Sequence, residues 1–276
     1  MKVRIDHTTR FEYDSDVVES VIDARLGPRS DPHQRWGRFA VTVDPAGAIR
    51  RYSDGFGNIG HLVTVARPHR YLALRMVGDV ETLLADPFAV PAEPPEPLGP
   101  SGRADHLDPS PLVPLVPELA ALAAPHRPAA PDETFASAQA LMHLVHERLE
   151  YLPGVTTVET TVVDVLGEPR GVCQDFAHLL IGLCRSAGIP ARYVSGYTVA
   201  DASGPRRGEG ASHAWVEAFT PTHGWRGLDP TNDVVASAHH VKMAVGRDYG
   251  DVPPHQGTYR GAAQERLSVA VKTTLV

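Results

Sequence analysis

Three residues of this chain have the types and local settings that acyl transfer through a thiolate requires. Cys173 lies in the segment GVCQDFAH, His213 in SHAW and Asp229 in LDPTN. In such chemistry the cysteine attacks a carbonyl carbon, the imidazole accepts and returns a proton, and the carboxylate orients the imidazole ring. The sequence therefore predicts a catalytic triad of Cys173, His213 and Asp229.

The strongest helix signal of the chain begins at Cys173. Apolar residues recur at helical spacing from about Cys173 to Ala187, and Gly188 followed by Pro190 ends the pattern. A helix N-terminus carries about half a positive charge and free backbone N–H groups, so it favours a thiolate. The N–H of Cys173 is also placed to bind the oxyanion of a tetrahedral intermediate. A lone cysteine is more often a small buried hydrophobe, and it is the combination with His213 and Asp229 that favours a nucleophile.

The second cysteine, Cys184, lies within the apolar face of the same predicted helix and is expected to be buried. Along one helix it stands roughly 16 Å from Cys173. A disulfide needs Cα atoms within about 7 Å, so the two cannot bridge each other. We expect two free thiols, which is usual in the cytoplasm.

Strand geometry provides a test of whether His213 and Asp229 can meet. Strands over 213–219 and 225–229 would form a hairpin in which Phe219 faces Trp225. His213 and Asp229 then lie diagonally on one face, with Cβ atoms roughly 7 Å apart, within reach of a hydrogen bond. A register shifted by one residue would put them on opposite faces. Taken singly, a buried structural histidine and a turn-forming aspartate are the commoner roles.

The remaining histidines receive structural interpretations. His178 is predicted to pack or to bond locally on the helix, and His223, His239 and His240 lie in loop-like sequence. The chain has no short C-x-x-C or H-x-x-x-H spacing typical of zinc ligands. It also has no glycine-rich phosphate loop and no G-x-S-x-G motif. We therefore expect no metal and no cofactor.

The elements around these residues divide the chain into three parts. Residues 1–85 read as short β-strands separated by turns, typical of a small β-sandwich or curled sheet. Residues 86–117 hold ten prolines and are predicted to be an extended linker without a regular helix. Residues 118–276 are predicted to form the catalytic core.

Within that core, the pattern predicts two helices ahead of Cys173 and four strands after it. The first helix is capped by Asp132 and runs to Leu149, and a short one spans Val162 to Leu166. The predicted strands cover 191–199, 213–219, 225–229 and 267–275.

Composition excludes several classes of function. The formal net charge is −7 and the chain has no run of basic residues, which argues against a nucleic-acid-binding protein. No stretch approaches the roughly 18 apolar residues of a membrane span, and the first residues lack the apolar core of a secretory signal. A cytoplasmic protein without nucleic-acid or membrane partners is expected, and the sequence leaves the oligomeric state open.

At these residues the chain resembles the bacterial transglutaminase-like family, whose members are often described as cysteine proteases. The resemblance is carried by GVCQDFAHL around Cys173, GIPARYVSGY after the helix, SHAWVE, GWRGLDPTN and GRDYGDVP, and it extends to HTTRFEY near the N-terminus. It implies an α+β protein, an N-terminal all-β domain followed by a papain-like core, with Cys173, His213 and Asp229 as the triad. One departure is His239-His240-Val241-Lys242, where relatives often carry a single histidine followed by isoleucine.

The resemblance implies a thioester acyl-enzyme formed from an amide of a peptide, protein or amino acid and resolved by water or an amine. The motif does not identify the second oxyanion donor. Tyr151, ahead of the helix, is a candidate for it, the alternative being a packing aromatic. The rival hypothesis is a non-catalytic peptide-binding or scaffold module that retains the fold. Degenerate members of that kind are expected to lose Cys173, His213 or Asp229, and this chain keeps all three.

Overall fold

The computed structural model describes residues 1–200, 207 and 210–276. Fifteen strands lie within these residues: β1 Lys2–Val17, β2 Glu19–Ala24, β3 Gln34–Asp44, β4 Ala48–Ser53, β5 Ile59–Val65, β6 His69–Thr82, β7 Glu150–Tyr151, β8 Arg170–Gly171, β9 Ala191–Thr198, β10 His213–Thr220, β11 Gly224–Asp229, β12 Val234–Val235, β13 His240–Gly246, β14 His255–Arg260 and β15 Glu265–Leu275. The five described α-helices are α1 Pro100–Leu107, α2 Pro117–Ala123, α3 Thr134–Arg148, α4 Val162–Gly167 and α5 Cys173–Ser186. Three short 3₁₀ helices cover Ala124–His126, Pro131–Glu133 and Tyr249–Asp251. No helix among the described residues is long and apolar enough to cross a membrane.

The N-terminal strands form two antiparallel sheets that share one hydrophobic cluster. Alternate residues of β1 are buried, as expected for a strand with one face against a core. The strand orders are β15-β1-β6-β3 and β14-β2-β5-β4, so each sheet takes its edge strand from the C-terminal end of the chain. The β architecture of residues 1–85 is therefore confirmed. Residues 255–275, which the sequence assigned to the core, instead complete the N-terminal sheets.

The proline-dense segment contains a helix, contrary to the prediction that it holds none. Helix α1 begins with Pro100 at its first position, where the missing N–H costs nothing. The seven residues that follow contain no proline, and the helix ends before Pro109. The ten prolines of 86–117 are not evenly spaced. The stretch between Pro100 and Pro109 is long enough for two helical turns. The chain ahead of α1 lies on the core, where the Arg226 guanidinium donates to the carbonyl oxygens of Pro87 and Ala89.

The core packs its helices on one face of a five-stranded antiparallel sheet. The strand order is β12-β11-β10-β9-β13, and α5 contacts β9 and β10 while α2, α3 and α4 pack around α5. Helix α5 is almost entirely buried after its first residue. Strands β12, β13 and β14 were not predicted. The N-cap of α3 is Glu133 without a side-chain bond, so the predicted Asp132 cap is wrong: Asp132 lies in the preceding 3₁₀ turn.

Two buried side-chain amides join the N-terminal unit to the core sheet. Strand β13 pairs with β9 on one side, which leaves the backbone groups of its other side without a strand partner in the described sheet order. There the Gln34 amide donates to the Lys242 carbonyl oxygen (2.6 Å) and accepts from the Lys242 N–H (2.9 Å). The Asn58 amide does the same with Val245, at 2.7 and 2.8 Å. Each amide thus takes the place of one residue of a neighbouring strand.

Candidate active site

Cys173 is the first residue of α5, as the sequence predicted, and its side chain is partly exposed while the rest of the helix is buried. The first backbone N–H groups of a helix have no acceptor one turn earlier, and the N–H of Cys173 is one of them. The position gives a thiolate the favourable end of the helix dipole.

A buried carboxylate holds the start of α5 in place. Asp175 is 1% exposed, and its Oδ2 accepts from the Val172 N–H and from the Thr156 hydroxyl, each at 2.7 Å. Burial raises the pKa of Asp175, and these two bonds oppose that rise. A Cβ atom at Gly171 would stand 2.3 Å from the same Oδ2 atom, so only glycine leaves room for the Asp175 side chain in this position.

The predicted hairpin register is confirmed. Phe219 pairs with Trp225 and Val216 with Leu228, and the strand ends bring the His213 and Asp229 side chains together. His213 Nε2 lies 2.8 Å from Asp229 Oδ2, and both side chains are fully buried. Continuing the observed pairing by one residue places Asp229 opposite Trp215, which is the diagonal arrangement expected from the strand geometry.

The other ring nitrogen of His213 is the one left for Cys173, whose side chain acts on the imidazole. Because Nε2 is taken by Asp229, the interaction between His213 and Cys173 involves Nδ1, which is buried and has no well-aligned partner among the described residues. Burial alone would lower the pKa of His213. The charge and hydrogen bond of Asp229, together with Cys173, outweigh that effect and raise it to about 10, so the protonated imidazole is the favoured form.

Asp229 accepts hydrogen bonds from four groups besides His213 among the described residues. Its Oδ1 accepts the backbone N–H groups of Thr231 (3.1 Å) and Asn232 (3.2 Å). Its Oδ2 accepts from His213, from the Asn232 side chain at 2.8 Å and from His240 Nε2 at 3.3 Å. Burial would raise the pKa of Asp229, but the charge of His213 and the bonds from both histidines lower it far below the ordinary value. The carboxylate is therefore held ionised in a fully buried position.

Tyr151 lies beside the site, on β7. Its backbone pairs with Gly171, two residues before the cysteine, and the Cys173 charge acts on its phenol. Burial, followed by that charge, raises the pKa of Tyr151, so the phenol keeps its proton. The Arg207 guanidinium stands 5.1 Å from the ring centroid, and the Arg207 N–H donates to Asn232 Oδ1. Tyr151 as an oxyanion donor stays a prediction, and this position is consistent with it.

Two other predictions concern α5. Cys184 is buried, burial raises the pKa of its thiol to about 12, and both cysteines are free, as expected. His178 does not bond locally: its Nε2 accepts the backbone N–H of Tyr249, from a distant loop. Burial lowers the pKa of His178 to about 4, so it is neutral at pH 7.

Sequence reasoning missed His240 and the role of Asn232. His240 was placed in a loop, whereas it is the first residue of β13 and is 7% exposed. The run HVKMAVG is buried on both faces, so it shows no alternation that would indicate a strand. The role of Asn232 could have been predicted from the sequence. Asparagine side chains form local hydrogen bonds in turns, and Asn232 follows Asp229 by three residues. Among the described residues, no cluster of three or more His, Cys, Asp or Glu side chains is arranged to hold a metal ion.

Comparison with known proteins decides the family. Residues 120–230 match the model of the transglutaminase-like superfamily, and residues 3–81 match that of the bacterial transglutaminase-like N-terminal region. An uncharacterized protein of Mycobacterium leprae is 36% identical over 276 residues, covering 99% of this chain and 98% of the relative. The chain belongs to the transglutaminase-like superfamily. An uncharacterized protein of Mycobacterium tuberculosis is 35% identical, with 98% of this chain and 91% of the relative covered.

Two further matches concern the fold and a named activity. The crystal structure of a protein of Cytophaga hutchinsonii, provisionally named a cysteine protease, superposes with a TM-score of 0.78 at 23% identity and covers 99% of this chain and 90% of that one. It confirms the predicted fold class for this transglutaminase-like chain. A protein-glutamine gamma-glutamyltransferase of Pseudomonas aeruginosa is 34% identical over 145 residues, which is 47% of this chain and 22% of that protein.

Proposed function

We propose that this transglutaminase-like protein is a cysteine-dependent acyl-transfer enzyme that acts on an amide of a peptide or protein. The observation that carries the proposal is the 2.8 Å contact between His213 Nε2 and Asp229 Oδ2. It leaves Nδ1 as the nitrogen available to Cys173, which acts on the same imidazole from the start of α5. This contact supports Cys173, His213 and Asp229 as nucleophile, base and orienting group, the three roles that thiolate catalysis needs.

The first half of the reaction cleaves the amide. The Cys173 thiolate attacks the carbonyl carbon, and the carbonyl oxygen becomes an oxyanion next to the N–H groups at the start of α5. When the tetrahedral intermediate collapses, the C–N bond breaks and the His213 imidazolium gives its proton to the departing amine. The products are an amine and a thioester on Cys173, with His213 neutral.

The second half resolves the thioester. Water or a primary amine attacks the thioester carbonyl, His213 takes a proton from that nucleophile, and the C–S bond breaks to restore the thiolate–imidazolium pair. Asp229 stabilises the imidazolium in both halves, and its low pKa keeps it charged throughout. The match to a protein-glutamine gamma-glutamyltransferase supports a glutamine side chain as an acyl donor and an amine as an acceptor.

Mass spectrometry of trapped adducts tests the proposal. The protein is incubated with a glutamine-containing peptide library, quenched in acid and digested, and an acyl mass is sought on the Cys173 peptide. We expect an adduct on Cys173 in the wild-type protein and its absence in Cys173→Ala. Cys184→Ala is the matched control, because its thiol is buried and its pKa is raised to about 12. It should leave the adduct unchanged.

A second measurement separates an enzyme from a scaffold module. In an enzyme with this geometry, iodoacetamide alkylates Cys173 readily at pH 6–7, and His213→Ala slows the reaction strongly. A Cys173 that reacts as an ordinary thiol, unaffected by His213→Ala, would favour a peptide-binding module instead. Circular dichroism and the urea midpoint of each variant show whether the fold is retained.

A further inference from the structure

Two histidines converge on a single oxygen atom of Asp229. His213 Nε2 lies 2.8 Å and His240 Nε2 lies 3.3 Å from Oδ2, and the His240 side chain is 2% exposed. The two residues come from different strands, β10 and β13, at opposite sides of β9. The reaction outlined above uses only one of these imidazoles, so the second requires an explanation.

The surroundings of His240 fix which of its nitrogens carries the proton. The backbone N–H of Ser237 donates to His240 Nδ1 at 3.4 Å, so Nδ1 is an acceptor and Nε2 carries the hydrogen. The Nε2–H group therefore donates to the Asp229 carboxylate. Trp215 packs edge-on against His240, with ring centroids 5.2 Å apart, and lies nearly parallel to the His213 ring at 6.1 Å. One indole thus sets the position of both imidazoles.

We propose that His240 is a positioning residue for the reaction at Cys173, donating Nε2–H to Asp229 Oδ2 and thereby holding that oxygen in line with His213. It does not touch the cysteine or the substrate in this role. The inference rests on the proposed function. Carboxylate torsions have broad minima, so a carboxylate oxygen keeps its direction only if fixed donors hold it. Around metal ligands, hydrogen-bond partners of this kind are worth roughly 10- to 100-fold in activity or affinity, and we take the lower end as the size expected here.

The alternative is that His240 merely satisfies a buried carboxylate. Both roles predict lower stability when the residue is changed, so stability alone does not distinguish them. They differ in what happens to Cys173, because only the positioning role links His240 to the imidazolium that keeps the thiolate charged. The readout must therefore be the chemistry of the thiol, which needs no natural substrate.

A pair of near-isosteric variants separates two of the contacts of His240, those to Ser237 and to Asp229. In His240→Asn the side-chain oxygen occupies the place of Nδ1 and keeps the Ser237 contact, but nothing reaches Asp229. In His240→Gln the amide nitrogen occupies the place of Nε2 and keeps the donation to Asp229, while the Ser237 contact is lost. His240→Asn loses a bond to a charged carboxylate and His240→Gln a bond between neutral groups, so the urea midpoint should fall further in His240→Asn.

The rate of iodoacetamide alkylation at Cys173, followed by mass spectrometry from pH 6 to 10, is the measurement. We expect His240→Asn to lower the rate at pH 6–7 roughly 10-fold. The rate at pH 10, where even an ordinary thiol is ionised without the help of an imidazolium, should change less. His240→Gln should stay close to the wild-type protein at every pH.

Equal losses in the two variants, or no loss in His240→Asn while it remains folded, would overturn the positioning role. If His240→Asn fails to fold, nitrogen NMR of the wild-type protein decides, because the proposal requires the tautomer protonated at Nε2 and fails with the other. A wild-type Cys173 that reacts as an ordinary thiol, unaffected by His213→Ala, is a separate result: it removes the proposed function and this inference with it.

Discussion

Replacing Asp229 by asparagine is the most informative single change, because it preserves shape while it removes the negative charge and turns one acceptor oxygen into a donor. In Asp229→Asn the amide oxygen stays with the backbone N–H groups of Thr231 and Asn232, which cannot turn away. The NH₂ group then faces His213 Nε2, which must become an acceptor. The imidazole proton moves to Nδ1, on the side of Cys173, where the base is needed.

The magnitude follows from the electrostatics of the pair. Asp229 is the main reason that the pKa of His213 is raised to about 10 despite complete burial. Returning it to the ordinary value near 6.5 removes about 5 kcal/mol of imidazolium stabilisation, at 1.36 kcal/mol per pH unit. That corresponds to a rate loss on the order of 10³-fold at pH 7. Similar losses are known when the aspartate of other catalytic triads is replaced by asparagine.

The assay compares alkylation of Cys173 and formation of the acyl adduct at pH 7 in wild type and variant. Asp233→Asn is the matched control: the same chemical change four residues along, in a side chain whose bond is to exposed His143. We expect Asp233→Asn to behave as wild type and Asp229→Asn to keep a small, measurable activity. A folded Asp229→Asn protein that retains more than about a tenth of the wild-type rate would refute the assigned role of the carboxylate.

Two further predictions concern the frame of the site. Gly171→Ala places a Cβ 2.3 Å from Asp175 Oδ2, so the hydrogen bonds of Asp175 to Val172 and Thr156 must break. We expect a loss of roughly 3 kcal/mol in the free energy of unfolding, measured in urea. Alkylation of Cys173 should also be slower. The free energy of unfolding should also fall as pH drops from 6.5 toward 4. Burial lowers the pKa values of His7, His106 and His178 to about 4 in the folded protein. Between pH 6.5 and 4 the unfolded chain therefore binds more protons than the folded one. Three protons give a slope of about 4 kcal/mol per pH unit near pH 5, and urea titrations that show no such slope would contradict it.

The parts of the site that the sequence predicts are those set by local patterns. The start of α5 follows from a continuous apolar periodicity and a glycine–proline stop, and the hairpin register follows from a short loop between two strands. Together these place Cys173 at a helix start and His213 beside Asp229, whereas the approach of Cys173 to His213 depends on the packing of α5 against β10. The resemblance to the transglutaminase-like family added the papain-like core and the N-terminal β domain to that reading.

The parts that the sequence did not predict depend on contacts between distant segments. The sequence of β15 predicts a strand, but its partner β1 lies at the other end of the sequence. A local pattern does not indicate which strand it pairs with. Strand β13 is buried on both faces, so it lacks the alternation that marks an exposed strand. His240 was misplaced for the same reason, since its role appears only once β13 is set beside β9.

The N-terminal unit is connected to the reaction centre through this missed strand. Gln34 and Asn58 bind the backbone of β13 from the side opposite β9, and β13 begins with the histidine that donates to Asp229. The two amides are nearly fully buried and make both bonds that a strand residue would make, so β13 cannot shift along its axis without breaking them. If His240 holds the carboxylate as proposed, the β domain in turn holds His240 through the bonds of Gln34 and Asn58 to β13. This role requires no contact between that domain and substrate.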